Sequence, residues 1–78
     1  MSDALILYTR TGCPLCEEMA EAVRARSGAH RLVEVDVDAD AELKARYGWD
    51  VPLLFYGDAE ICRHEFDLVA FDGWLGKA

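Results

Sequence analysis

Three apolar patterns of different period follow one another in the first 37 residues, and that succession restricts the fold more than any other feature of the chain. Ala4-Leu5-Ile6-Leu7-Tyr8 is an uninterrupted apolar run of strand length, as expected of a strand buried on both faces of a sheet. After a turn from Thr9 to Gly12, Cys16, Met19, Ala20 and Val23 recur at helical spacing as far as Ser27-Gly28, where Gly28 can take the left-handed conformation that closes a helix. From Leu32 to Val37 apolar and acidic residues then alternate, the period-two pattern of a strand with one face in water. Strand, helix and strand in this order predict a right-handed βαβ unit with parallel strands.

The second half changes character. Asp38 or Asp40 can cap a short helix that carries Leu43 and Tyr47 one turn apart and ends at Gly48. Pro52 to Tyr56 is apolar, Gly57-Asp58 is turn chemistry, and Ala59 to His64 can return antiparallel, so a hairpin is expected. Asp67 caps a last helix whose apolar face is Leu68, Phe71 and Leu75, with Trp74 alongside and Gly73 weakening it by about 1 kcal/mol relative to alanine. The predicted order is β-α-β-α-β-β-α in one α/β domain over residues 1–78, without repeat or linker.

Charge narrows the partners. Fifteen Asp and Glu against eight Lys and Arg give a net charge of −7, which repels phosphate backbones and anionic membranes and leaves no basic stripe for nucleic acid. The run from Ala4 to Tyr8 is too short for a signal-peptide core or a membrane span, so a cytosolic protein is expected. Three cysteines are too few for a secreted disulfide framework, and a close pair in a reducing compartment is redox-active or metal-binding more often than structural. The acidic stretch from Glu34 to Glu42 reads as a solvated face that can also favour a basic partner protein.

The pair is Cys13-Pro14-Leu15-Cys16. Cys13 falls at the turn-helix boundary with Pro14 at the first helical position, where a missing N–H leaves nothing unpaired. The unpaired N–H groups and partial positive charge of a helix N-terminus favour a thiolate there, with Arg10 three residues upstream adding to the field. Cys16, one turn in, faces the same side, close enough for a disulfide, more buried and less acidic. Two unequal thiols suit exchange through a mixed disulfide, with Cys13 attacking and Cys16 resolving. The rival readings are two ordinary buried thiols, or half of a zinc site completed by Cys62, His64 or His30. Cys62-Arg63-His64 has a ligand spacing of two on a predicted strand, unlike common zinc clips, so no metal ligand is assigned. Cys62 is expected in the core, and both histidines at surface or edge positions.

With these residues in view, "YTRTGCPLC" after a first strand, "WDVP" before the third, and the element order resemble the glutaredoxins of the thioredoxin superfamily, most closely small bacterial glutaredoxin-like proteins with a CxLC pair. The resemblance implies a thioredoxin fold, a four-stranded mixed sheet with helices on both faces. It also implies a cis Val51-Pro52 bond facing the cysteines, with Val51 offering main-chain hydrogen bonds to a bound peptide or glutathione. Arg10 matches the basic position used for a glutathione carboxylate. Three features depart from that pattern. Leu15 stands where a tyrosine is common, "ICRHEFDL" replaces a Gly-Gly turn with a following acid, and Glu17-Glu18 replace basic residues after the pair.

The resulting expectation is a monomeric thiol-disulfide oxidoreductase with no tightly bound cofactor. Cys13 and Cys16 are its redox pair, Leu15, Val51 and Pro52 form an apolar platform, and Arg10 guides anionic groups. Its substrates are disulfide-bearing proteins or small thiols, its electron donor a reductase or glutathione, and its dependence on glutathione weak. A non-catalytic binding module of the same fold and a zinc or iron-sulfur protein are the alternatives.

Overall fold

A computed structural model describes residues 4–28 and 30–77. The elements follow the expected order: β1 (Leu5–Thr9), α1 (Pro14–Arg26), β2 (Leu32–Asp36), α2 (Ala41–Tyr47), β3 (Leu53–Tyr56), β4 (Ala59–Arg63) and α3 (Leu68–Lys77). The strands form one sheet in the order β2-β1-β3-β4, with β1 parallel to β2 and β3 antiparallel to both β1 and β4. The continuous apolar run is therefore an inner strand, as its composition requires.

Alternation along β1 sends Leu5 and Leu7 to one face, where they pack with Leu54, Cys62, Met19, Ala20 and Val23 of α1, and Phe71 of α3. On the other face Tyr8 stacks on Tyr47 of α2 at 4.4 Å between ring centroids and meets Phe55 edge-on at 5.8 Å. Helices thus cover both faces, α1 and α3 on one and α2 on the other. The second cover is the shorter. In register, Val33 pairs with Ile6 and Val35 with Tyr8, so the apolar side of β2 turns towards α2. That helix has only seven residues, and Val33 remains 37 % exposed.

The acidic stretch also shapes the local backbone and pairs across the fold. Glu34 pairs with Arg24 of α1. Asp36 ends β2 one residue earlier than the alternation predicts, because its carboxylate accepts the Asp38 N–H at 2.9 Å and opens a 3-10 turn over Val37–Ala39. Asp40, rather than Asp38, caps α2 by accepting from the N–H groups of Glu42 and Leu43 at 2.9 and 3.2 Å. Asp38 is thereby left to pair elsewhere.

Two further expectations are corrected. β4 stops at Arg63, because His64 turns out of the ladder at φ 70°, in the left-handed region that a β-carbon makes costly, and donates its N–H to Pro52 O at 2.7 Å. In α3 the cap is as expected, Asp67 accepting the Ala70 N–H at 3.0 Å. Leu68, however, is 45 % exposed in the first turn, and the helix seats on the core through Phe71, Trp74 and Leu75.

Gly48, just past α2, has an ordinary helical φ of −58°, so left-handed freedom is not its use. A Cβ there would overlap the Lys44 carbonyl oxygen and stand 3.3 Å from an Arg10 guanidinium nitrogen. Gly48→Ala should therefore destabilise the protein by about 1–3 kcal/mol, since backbone must shift to admit the methyl group. Urea unfolding measures this, and an unchanged midpoint would mean that the end of α2 relaxes freely.

Candidate functional site

The β1–α1 connection and the α2–β3 connection leave the sheet side by side, because Tyr8 near the end of β1 pairs with Leu53 at the start of β3. Cys13 lies on the first connection and Val51-Pro52 on the second, so two segments 38 residues apart in sequence meet at one end of the sheet.

Cys13 is the N-cap of α1, with extended backbone at φ −104° and ψ 104°, and Pro14 follows at the first helical position. Its sulfur accepts the Cys16 N–H at 3.1 Å and its carbonyl accepts the Glu17 N–H at 3.1 Å. A sulfur in this place sits in the field of the helix N-terminus. Cys13 is partly exposed, whereas Cys16 is 1 % exposed against the core. The two are joined as a disulfide, their Cα atoms 5.2 Å apart, well inside the 4.4–6.8 Å range such a bridge spans.

The Val51-Pro52 bond is cis, as the resemblance implies. Neither main-chain polar group of Val51 takes a partner among the described residues, so both remain open for an incoming chain. The three residues expected to form an apolar platform differ in exposure. Leu15 is 48 % exposed and Val51 half-buried, but Pro52 is fully buried and offers no side-chain surface.

Arg10 is held differently from the expectation. Its Nε and one terminal nitrogen donate to the two carboxylate oxygens of Asp38 at 2.8 and 3.0 Å, and its other nitrogen donates to Gly48 O at 3.1 Å. The fork holds the Asp38 carboxyl below its ordinary range. An anionic ligand must therefore compete with an internal carboxylate for this guanidinium.

Where the Gly-Gly turn was missing from the sequence, the side chains form a charged cluster. Arg63 makes a fork to Glu60, its Nε 2.8 Å from Oε2, and reaches Asp50 Oδ1 at 3.5 Å. His64 Nε2 also meets Asp50 Oδ1, at 3.2 Å. Asp50 precedes Val51, so the cluster ties the end of β4 to the segment that leads into the cis Val51-Pro52 bond. Neither Asp38 nor Asp50 was legible as a site residue. Asp38 looked like one more member of an acidic run, and its partner is 28 residues away.

Cys62 packs in the core at 7 % exposure, and burial pushes its thiol pKa up. His64 points to Asp50, and His30 rests on Tyr56 and Trp74 at 5.7 and 5.1 Å. Among the described residues no three His, Cys, Asp or Glu side chains assemble as a metal site, and no helix is long and apolar enough to cross a membrane.

The raised Cys62 pKa yields a prediction. With the folded value above the unfolded one, neutral Cys62 stabilises the fold fully below the ordinary thiol pKa of about 8.5, and that contribution is lost as pH rises through the folded value. Alkylation of the native oxidised protein near pH 8, read by intact mass, should leave Cys62 unmodified until denaturant is added. Rapid labelling without denaturant would contradict its burial.

Residues 4–76 match the family model described as glutaredoxin-like domain (DUF836). Among solved structures, the Xanthomonas protein XcR50 from X. campestris is 37 % identical, covers 96 % of this chain and 99 % of its own, and superposes with a TM-score of 0.79. Protein Ne2328 from Nitrosomonas europaea is 29 % identical over 95 % of this chain and 92 % of its own, with a TM-score of 0.80. A malarial protein at 16 % identity and a TM-score of 0.58, covering 99 % of this chain and 97 % of its own, shares the fold alone. No curated protein matches.

Proposed function

The chain belongs to the glutaredoxin-like family, and on that premise we propose that it is a thiol-disulfide oxidoreductase with Cys13 as nucleophile and Cys16 as resolving thiol. The observation that carries the reading is the inequality of the pair, a partly exposed sulfur at a helix N-terminus joined to a sulfur sealed in the core. In the reduced protein the Cys13 thiolate attacks one sulfur of a substrate disulfide, forms a mixed disulfide and expels the other sulfur as a thiolate that takes up a proton. Cys16 then loses its proton and attacks the Cys13 sulfur. The second substrate thiolate leaves, the Cys13–Cys16 disulfide forms, and two electrons have passed to the substrate. A dithiol or a protein reductase returns the pair to the reduced state.

Val51 supports the substrate's main chain, and Leu15 gives the apolar surface on which the mixed disulfide rests. Glutathione is a poor co-substrate in this reading. Arg10 is engaged by Asp38, Arg63 by Glu60 and Asp50, and Glu17 and Glu18 add negative charge next to the pair. The protein works as a monomer in the cytosol, where its thiols can be kept reduced.

The test is a coupled disulfide-reduction assay run with a dithiol donor and again with glutathione and its reductase. The expected result is turnover with the dithiol and weak turnover with glutathione. A reduced protein that fails to exchange with any disulfide would point to a non-catalytic binding module, and saturable glutathione turnover abolished by Arg10→Glu would make it a glutathione enzyme.

A further inference from the structure

Trp49 is 94 % exposed. A single apolar side chain in water needs no explanation, but Trp49 stands at the edge of a cavity of about 170 Å³ that it lines together with Lys44, Arg10 and Gly48. The cavity belongs to the two connections that carry the redox pair and Val51. Arg10 comes from the segment leading to Cys13, and Gly48 and Trp49 from the segment leading to Val51-Pro52.

The charges in the cavity are unequal. Arg10 is neutralised by the fork to Asp38 and pinned to the Gly48 carbonyl. The Lys44 ammonium makes no hydrogen bond or ion pair among the described residues and acts on Asp38 only at longer range. One open ammonium therefore stands beside one open aromatic face. A basic ligand is repelled there, and a purely apolar one leaves the ammonium without a counter-charge. The matching ligand is an apolar or aromatic side chain adjoining a carboxylate. The net charge of −7 opposes such a ligand only at long range, because screening over roughly 8 Å at physiological salt leaves the contact pair intact. Of the acids from Glu34 to Asp40, Glu34 is paired with Arg24 and Asp38 with Arg10, while Asp36 and Asp40 accept from backbone N–H groups, and Glu17 and Glu18 are not among the residues lining the cavity.

We infer that Trp49 and Lys44 form a specificity subsite for a protein substrate, taking an aromatic or apolar residue followed by an acidic one next to the substrate's disulfide cysteine. The inference rests on the oxidoreductase reading. It deepens that reading by naming the partner as a polypeptide segment, and assigns the two residues no part in the chemistry.

The test uses disulfide-linked peptides that differ only after the cysteine, Phe-Glu in one and Ala-Lys in the other, with a small uncharged disulfide and glutathione disulfide as references. The Phe-Glu peptide should be reduced with a KM about tenfold lower than that of the Ala-Lys peptide. Trp49→Ser and Lys44→Glu should each remove most of that preference through KM, leaving turnover of the small uncharged disulfide and the thermal midpoint unchanged. Equal KM values, or a preference that survives both substitutions, would overturn the inference. So would an equal loss with glutathione disulfide, which would mark a small-thiol site instead. Binding of serine-for-cysteine peptides to the oxidised protein, followed by amide shifts of Lys44 and Trp49, reads the subsite without turnover. If no disulfide is reduced yet the Phe-Glu analogue binds more tightly than the Ala-Lys analogue, the subsite stands and the redox reading falls. If neither analogue binds preferentially, the subsite falls.

Discussion

Cys13→Ser should lower disulfide reductase activity by at least about a thousandfold, because a hydroxyl is a far weaker nucleophile than a thiolate and no second thiol can take its place. Cys16, in the first turn of α1, is sealed against the core at 1 % exposure, and Cys62 lies buried on the same face of the sheet with its pKa raised. Cys16→Ser should behave differently. Cys13 still attacks, but the mixed disulfide is not resolved from within, so incubation with a disulfide substrate should accumulate a covalent adduct visible by intact mass. Alkylation against pH supplies the companion measurement on this variant, with Cys13 titrating below the free-thiol value of about 8.5 because the α1 N-terminus favours its thiolate. An adduct on Cys13→Ser instead of Cys16→Ser would reverse the two roles. Undiminished activity in both variants would remove the pair from the mechanism.

How much of this could be read from the residues follows from the range of the interactions involved. The βαβ unit was legible because its signals are local: an apolar run, a helical repeat from Cys16 to Val23, and a cap built from Cys13 and Pro14. The same locality made the pair legible as unequal thiols. Three things were not. The Arg10–Asp38 fork joins residues 28 apart, and nothing near Asp38 separates it from Asp36 or Asp40, which serve backbone N–H groups. The exit of the chain at His64 depends on a left-handed backbone that sequence patterns assign to Gly or Asn. The face of Arg63 was open because alternation fixes a face only once the register is known. The register sets Arg63 opposite Leu53, and its side chain is tied to Glu60 and Asp50. In each case the missing information was a long-range contact, and each lies at the end of the sheet where the cysteine pair sits.

The largest effect on stability is expected at Phe71. Its ring is fully buried where α3 meets the sheet, 5.5 Å from Phe66 and 5.4 Å from Trp74 between ring centroids, in the cluster that also holds Met19, Ala20 and Val23 of α1. Phe71→Ala removes that apolar surface and leaves a cavity between rigid neighbours, so a loss of about 3–5 kcal/mol is expected. A domain of this length has a total stability of roughly 4–12 kcal/mol, and the variant should therefore be marginal, with a thermal midpoint lowered by well over 10 °C. The consequence reaches the site. The helix that carries Cys13 at its N-terminus rests Met19, Ala20 and Val23 on the same cluster, so loosening the core should speed exchange of the α1 amides together with those of α3. Val69→Ser serves as the control on α3, since Val69 is 84 % exposed and its replacement should change stability by no more than about 0.5 kcal/mol. Urea unfolding of the two variants decides the matter. A loss below about 1 kcal/mol for Phe71→Ala would mean either that the cavity collapses or that α3 is not seated on the sheet. Hydrogen exchange separates those outcomes, because an unseated α3 would exchange freely in the unmutated protein.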